Sequence, residues 1–314
     1  MKLILLAASI VLGTAAGCSE RNQLENQAQG GEKGRLIGVS FQSMNNPFFV
    51  DLNEGLKAVV EARGDKLVTL DAQWNSLKQK NDISDLILQG ASAIFINPVN
   101  WEGIRGSLIQ AKQKGIAIIV VDAPAKDQEL VLSTVASDNV QAGRLVAEAL
   151  AQAGRPAKLA ILHLSTNKAC IDRVAGFKEV LAKYPDMQIV DVQEGKGTTE
   201  GARPVIRDLI GRRPDLNAVF AINDPSALGV ISALESAGKL GGVKVVAVDG
   251  APEAITAIQN GKMLATSAQF PKEIGKAAAE VVYQHFDGKP VEKEVKIRVE
   301  LITRDNVISF LKKS

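Results

Sequence analysis

The chain has 314 residues, with 37 Lys and Arg against 35 Asp and Glu, for a formal net charge of +2. Charge so nearly balanced supplies no basic field for nucleic acid, which is therefore not expected as a partner. Two cysteines (Cys18, Cys170) and two histidines (His163, His285) show no paired metal-ligand spacing, so neither a zinc site nor any other cofactor is expected.

Lys2 and the apolar run from Leu3 to Leu12 read as a secretory signal, too short for an ordinary spanning helix. It ends in Ala15-Ala16-Gly17-Cys18, which resembles a bacterial lipobox with Ala15 at the position where Leu is commonest. Cys18 is accordingly expected to carry the lipid, leaving Cys170 unpaired. Residues 1–18 are the signal and lipidation site, and the polar residues 19–33 a flexible tether. No other segment is long and apolar enough to span a membrane. The protein is thus expected on the extracytoplasmic side, at the membrane through its anchor only.

From residue 34 onward, short β-branched runs alternate with helical stretches. Strands are predicted at Leu36–Phe41, Leu67–Leu70, Ala93–Ile96, Ile116–Val121, Lys158–Leu162, Gln188–Val192, Ala218–Ile222 and Lys244–Val248. Such alternation implies α/β architecture with parallel sheets covered by helices on both faces. Around Ser137-Asp138-Asn139 the series restarts, with four β-α units on each side, so two similar lobes are expected with a ligand between their strand tips.

The first strand runs into Asn45-Asn46-Pro47-Phe48-Phe49. Asn as cap, Pro in the first turn and Phe as staple would explain this as a helix start. Two amides and two rings at a strand's carboxyl end also suit a sugar, whose C–H faces pack on aromatics and whose hydroxyls need partners. Ile96-Asn97-Pro98, Val121-Asp122-Ala123, Ile222-Asn223-Asp224 and Val248-Asp249-Gly250 each put an amide or carboxylate where a strand stops. A turn or cap explains any one of them. Four in register, spread over both halves, favour a shared polar cleft. Arg173, on a predicted helix, offers a rigid fork of donors to complement Asp122 and Asp249. A surface salt bridge to Asp172 or Glu179 is the alternative.

With these residues in order, and with Ala136-Ser137-Asp138-Asn139, Arg173-x-x-Gly176-Phe177 and Ala268-Gln269, residues 35–305 resemble the ribose-binding-protein branch of the periplasmic sugar-binding proteins. The resemblance implies the type I periplasmic-binding-protein fold: two Rossmann-like lobes, three hinge crossings, and a solute held while the lobes close. It places residues 34–137 plus 270–299 in the N-terminal lobe and 138–269 plus 300–314 in the C-terminal lobe. It nominates Asn46, Phe48, Phe49, Asn97 and Asp122 from the first lobe, and Arg173, Asn223, Asp249 and Gln269 from the second lobe and hinge. Gln42 stands where the ribose pattern has Ser, Ala123 where an Arg follows the first aspartate, Val248 where an aromatic precedes the second, and Gly197 where another aromatic is expected. These departures imply a wider, less stacked pocket than a pentose calls for, with Gln42 as a replacement contact.

The expected function is a lipid-anchored receptor that captures a small neutral sugar or polyol and delivers it to the permease of an ABC importer, as a monomer and without catalysis. Presentation of the same ligand to a chemoreceptor or sensor kinase is the alternative. Asp122 and Asp249 as a glycosidase acid-base pair is a weaker one, since no Walker loop, nucleophile elbow or metal cluster accompanies them. A lac-repressor-type regulator shares the fold but carries a DNA-binding headpiece where this chain has an export signal.

Overall fold

The computed structural model describes residues 34–312. The signal, Cys18 and the tether lie outside the described residues. All eight predicted strands are present, with ends within two residues of those expected: β1 Leu36–Phe41, β2 Lys66–Asp71, β3 Ala93–Ile96, β4 Ala117–Val121, β6 Ala157–His163, β7 Met187–Glu194, β8 Ala218–Ala221 and β9 Lys244–Asp249. Four more complete the set: β5 Ser133–Ser137, β10 Ala265–Ala268, β11 Glu294–Ile297 and β12 Glu300–Thr303.

They form two six-stranded sheets, ordered β11-β5-β4-β3-β1-β2 and β12-β10-β9-β8-β6-β7. Every pairing is parallel except β10 with β12. The two orders are one pattern repeated, so each lobe has a topological switch point between its first and third strands, where open α/β sheets bind ligands. The chain passes between sheets three times: after β5, after β10, and between β11 and β12.

Strands buried on both faces read as continuous apolar runs because each face has its own helices to meet. In β3, Ala93 and Phe95 join Ile37, Val39 and Phe41 against helices α1 (Pro47–Ala62) and α9 (Pro271–Phe286). Ile94 and Ile96 point the other way, onto α2 (Ser76–Leu88) and α3 (Arg105–Gln113). The second sheet is sandwiched likewise. Helices α4 (Asn139–Gln152) and α5 (Lys168–Leu181) cover one face, and α6 (Thr199–Arg212), α7 (Asp224–Ser236), α8 (Pro252–Gln259) and the short α10 (Val307–Leu311) the other. Among the described residues no helix is long and apolar enough to cross a membrane.

Candidate ligand-binding cleft

A cavity of about 1540 Å³ lies between the carboxyl ends of the two sheets, lined from both lobes. Its first-lobe wall begins at the start of α1. Asn46 caps that helix, its Oδ1 accepting from the Phe48 N–H at 3.0 Å, and Pro47 opens the first turn. Phe48 and Phe49 meet edge to face with ring centroids 5.3 Å apart, and both belong to the core of the first sheet while lining the cleft. The helix-start role and the pocket role are therefore held by the same side chains.

Gln42 and Asp122 line the same wall and are buried, whereas Asn97 is fully buried and stands behind it. Asn97 Nδ2 donates to Asp122 Oδ2 at 3.0 Å, and its Oδ1 accepts from the Gln42 N–H at 3.2 Å. Its place is that of a buried bracket holding two cleft residues. Asp122 sits at φ 65° and Asp249 at φ 146°, both in the region that favours glycine. Matching strain at the tips of β4 and β9 is the kind of backbone cost that surrounding structure sustains at functional sites.

Arg173 is buried, so the surface salt bridge is not formed: Asp172 pairs with Lys168, and Glu179 with Arg144. The guanidinium instead donates from Nε to Asn139 Oδ1 at 2.9 Å and from Nη1 to the Ile222 carbonyl at 3.0 Å, and lies 3.5 Å from Asp249 Oδ1. Gln269 Nε2 donates to Asp249 Oδ1 at 2.8 Å. Asn223 lines the cleft while its Oδ1 caps α7 through the Ser226 N–H and its Nδ2 donates to the Gly197 carbonyl.

Three polar residues at this site lie outside the sequence nomination. Asn139 orients Arg173. Asn167, the cap of α5, donates from Nδ2 to Gln42 Oε1 at 3.4 Å, linking the lobes. Asp224 is fully buried beneath the Asp249 turn, accepting from the Thr266 hydroxyl at 2.7 Å and the Ala251 N–H at 2.8 Å. Asp224 adjoins the nominated Asn223, Asn139 lies in the Ser137-Asp138-Asn139 stretch where the series restarts, and the cap pattern at Asn167 was the signal for the third. A second direct link joins the lobes, the Trp101 N–H donating to the Thr166 carbonyl at 3.2 Å.

Of the departures from the ribose pattern, Gly197 lines the cleft at φ 66°, whereas Ala123 and Val248 are buried and absent from its lining. Trp74 lines the cleft and is partly exposed. Cys170 is free, buried and at the cleft wall, and burial pushes its thiol up to about 12, so it behaves as a small hydrophobe.

Burial dominates the carboxyl groups as well. It drives Asp122 from 3.8 up to about 7, against Arg173 and the Asn97 hydrogen bond and with help from Asp249. Asp224 also rises to about 7, through burial first and then Asp249, while burial raises Asp249 despite Arg173. A carboxyl group whose folded pKa exceeds its unfolded value holds its proton longer in the folded chain. Its stabilisation is complete below about pH 4 and is lost as pH rises through about 7. We expect the melting temperature to fall between pH 5 and pH 8, and Asp122→Asn to flatten that fall. His163, held below its usual pKa by burial, acts in the opposite sense below pH 6.5, so the comparison of the two proteins isolates Asp122.

Two α/β lobes with a polar, aromatic-walled cleft between their strand tips define a two-lobed solute-binding protein. The sequence matches the periplasmic binding protein domain over residues 37–290, and the chain belongs to that family. It is 34% identical over 303 residues to the ribose import binding protein RbsB of Bacillus subtilis, covering 96% of this chain and 98% of that one. Among solved structures it superposes at TM-score 0.83 on an ABC transporter solute binding protein from Mycobacterium smegmatis with bound glycerol, at 31% identity, covering 88% of this chain and 96% of that one. A second, from Bacillus halodurans with bound myo-inositol, also gives TM-score 0.83 at 26% identity, covering 90% and 100%.

Proposed function

We propose that the protein is a lipid-anchored extracytoplasmic receptor that captures a sugar or polyol between two closing lobes and delivers it to an ABC importer, without catalysis. The observation that carries this reading is the pair of strand-tip aspartates, Asp122 from one lobe and Asp249 from the other, lining one cleft with Arg173, which lies 3.5 Å from Asp249, and with Phe48 and Phe49. Carboxylates accept and a guanidinium donates, which is what adjacent hydroxyls require once removed from water. The ligands named for the related proteins, ribose, glycerol and myo-inositol, are all polyhydroxylated. In this reading the lobes are residues 34–137 plus 270–299 and 138–269 plus 300–314. Gln42, Asn46, Phe48, Phe49, Asp122, Arg173, Asn223, Asp249 and Gln269 contact the ligand, with Asn97 supporting them. The anchor is Cys18.

A thermal-shift screen of the purified protein against pentoses, hexoses, deoxy sugars, polyols and cyclitols tests the reading. A ligand that binds the folded state alone raises the melting temperature with its concentration over Kd, so a concentration-dependent rise from a sugar or polyol is expected. Silence across the panel would overturn it.

A further inference from the structure

The polar groups of the cleft do not balance. Asp122 and Asp249 face it as two buried carboxyl groups, and among the described residues Arg173, 3.5 Å from Asp249, is the one buried cation that lines it. That guanidinium is already engaged, with Nε on Asn139 and Nη1 on the Ile222 carbonyl. Asp122 accepts a single side-chain hydrogen bond among the described residues, from Asn97. Gln269 adds an independent sign of the same imbalance. Its Nε2 is committed to Asp249, which fixes the amide's orientation, and its Oε1 is left buried at the cleft with no partner among the described residues.

The mouth repeats the pattern. Lys272 is shared by Asp51 and Glu54, and Arg298 by Glu273 and Glu300, so each cation there also meets two carboxylates. A buried carboxylate without a matching cation is costly, and a cation brought by the ligand offsets that cost. A hydroxyl donates once and then presents lone pairs that need donors of their own, which this cleft is short of. An ammonium offers three donors and no acceptor.

We propose that the cleft prefers amino-substituted polyols, meaning amino sugars or amino alcohols carrying one ammonium, over their all-hydroxyl counterparts, with the ammonium against Asp122. The inference rests on the sugar-or-polyol reading above and narrows it by charge.

Titration calorimetry of the full-length protein at pH 7 with matched trios tests it. Suitable trios are glucosamine, glucose and N-acetylglucosamine, the galactose equivalents, and an aminocyclitol with the corresponding inositol and its N-acetyl form. At least one amine is expected to bind ten-fold or more tightly than both neutral members of its trio. Asp122→Asn is expected to erase that margin. Neutral members binding as tightly as, or more tightly than, their amines in every trio that binds would overturn the charge preference and leave the sugar reading standing. No binding by any member would overturn the amine preference, while the sugar-or-polyol reading stands or falls with the broader thermal-shift screen.

Discussion

Asp249→Ala is expected to reduce ligand affinity by at least about 30-fold while leaving the protein folded. Truncating one member of a buried, hydrogen-bonded charge pair in a binding site costs about 2–5 kcal/mol, and each 1.4 kcal/mol is a factor of ten. Stability should hold or increase, because Asp249 raises the proton affinity of both Asp122 and Asp224 through like-charge repulsion. Arg173 keeps Asn139 and the Ile222 carbonyl as partners, so no buried cation is stranded. Calorimetry with whichever ligand the thermal screen identifies, beside a melting curve of the variant alone, reads both halves. Unchanged affinity would remove Asp249 from the site.

Gly176→Ala is expected to be strongly destabilising for a single added carbon. Helices α4 and α5 cross in backbone contact: a Cβ on Gly176 would lie 1.9 Å from the Val140 carbonyl oxygen, and one on Gly143 1.9 Å from that of Arg173. Neither neighbour is a flexible side chain, so the helices themselves must separate. Overpacking of this kind costs about 3 kcal/mol, which for a domain of this size lowers the melting temperature by roughly 10 °C. The same separation pulls Asn139 on α4 away from Arg173 on α5, so ligand affinity should fall as well. Gly211→Ala, in α6 with nothing within 4 Å of the added carbon, is the matched control and should be neutral or stabilising. Equal melting temperatures for the two variants would refute the close-crossing argument.

What could be read from the sequence follows from how each element is buried. Six of the eight predicted strands are interior apolar runs covered by helices on both faces, and such runs announce themselves; the other two, Lys66–Asp71 and Met187–Glu194, are partly buried edge strands legible from their Leu, Ile and Val. Ser133–Ser137 and Ala265–Ala268 are equally central, yet they are built of Ser, Thr, Ala and a single Val, small enough to lie under close-packed helices. Glu294–Ile297 and Glu300–Thr303 are four-residue edge strands with alternating or partial burial, held by pairing partners more than 30 residues away. Propensity does not reach across that distance. At the site, strand-tip position marked Asp122, Asn223 and Asp249 for the cleft, while Asn97, equally placed by sequence, turned inward to hold Asp122. Position along a strand tells which end a residue occupies. The rotamer, fixed by neighbours on other strands, decides whether it meets solvent or another side chain.

Lobe-to-lobe contacts such as the bond from the Trp101 N–H to the Thr166 carbonyl are made by groups outside the proposed ligand contacts, unlike the bond from Asn167 to Gln42. Every solute that enters therefore inherits the same contribution to closure, whatever its hydroxyl pattern. Apparent affinity is the intrinsic affinity scaled by the fraction of molecules able to close. These contacts thus act as a gain control. Evolution can retune them to match the ambient supply of a solute, raising or lowering the dissociation constants of all ligands together, while the discrimination set by Asp122, Arg173 and Asp249 stays as it was.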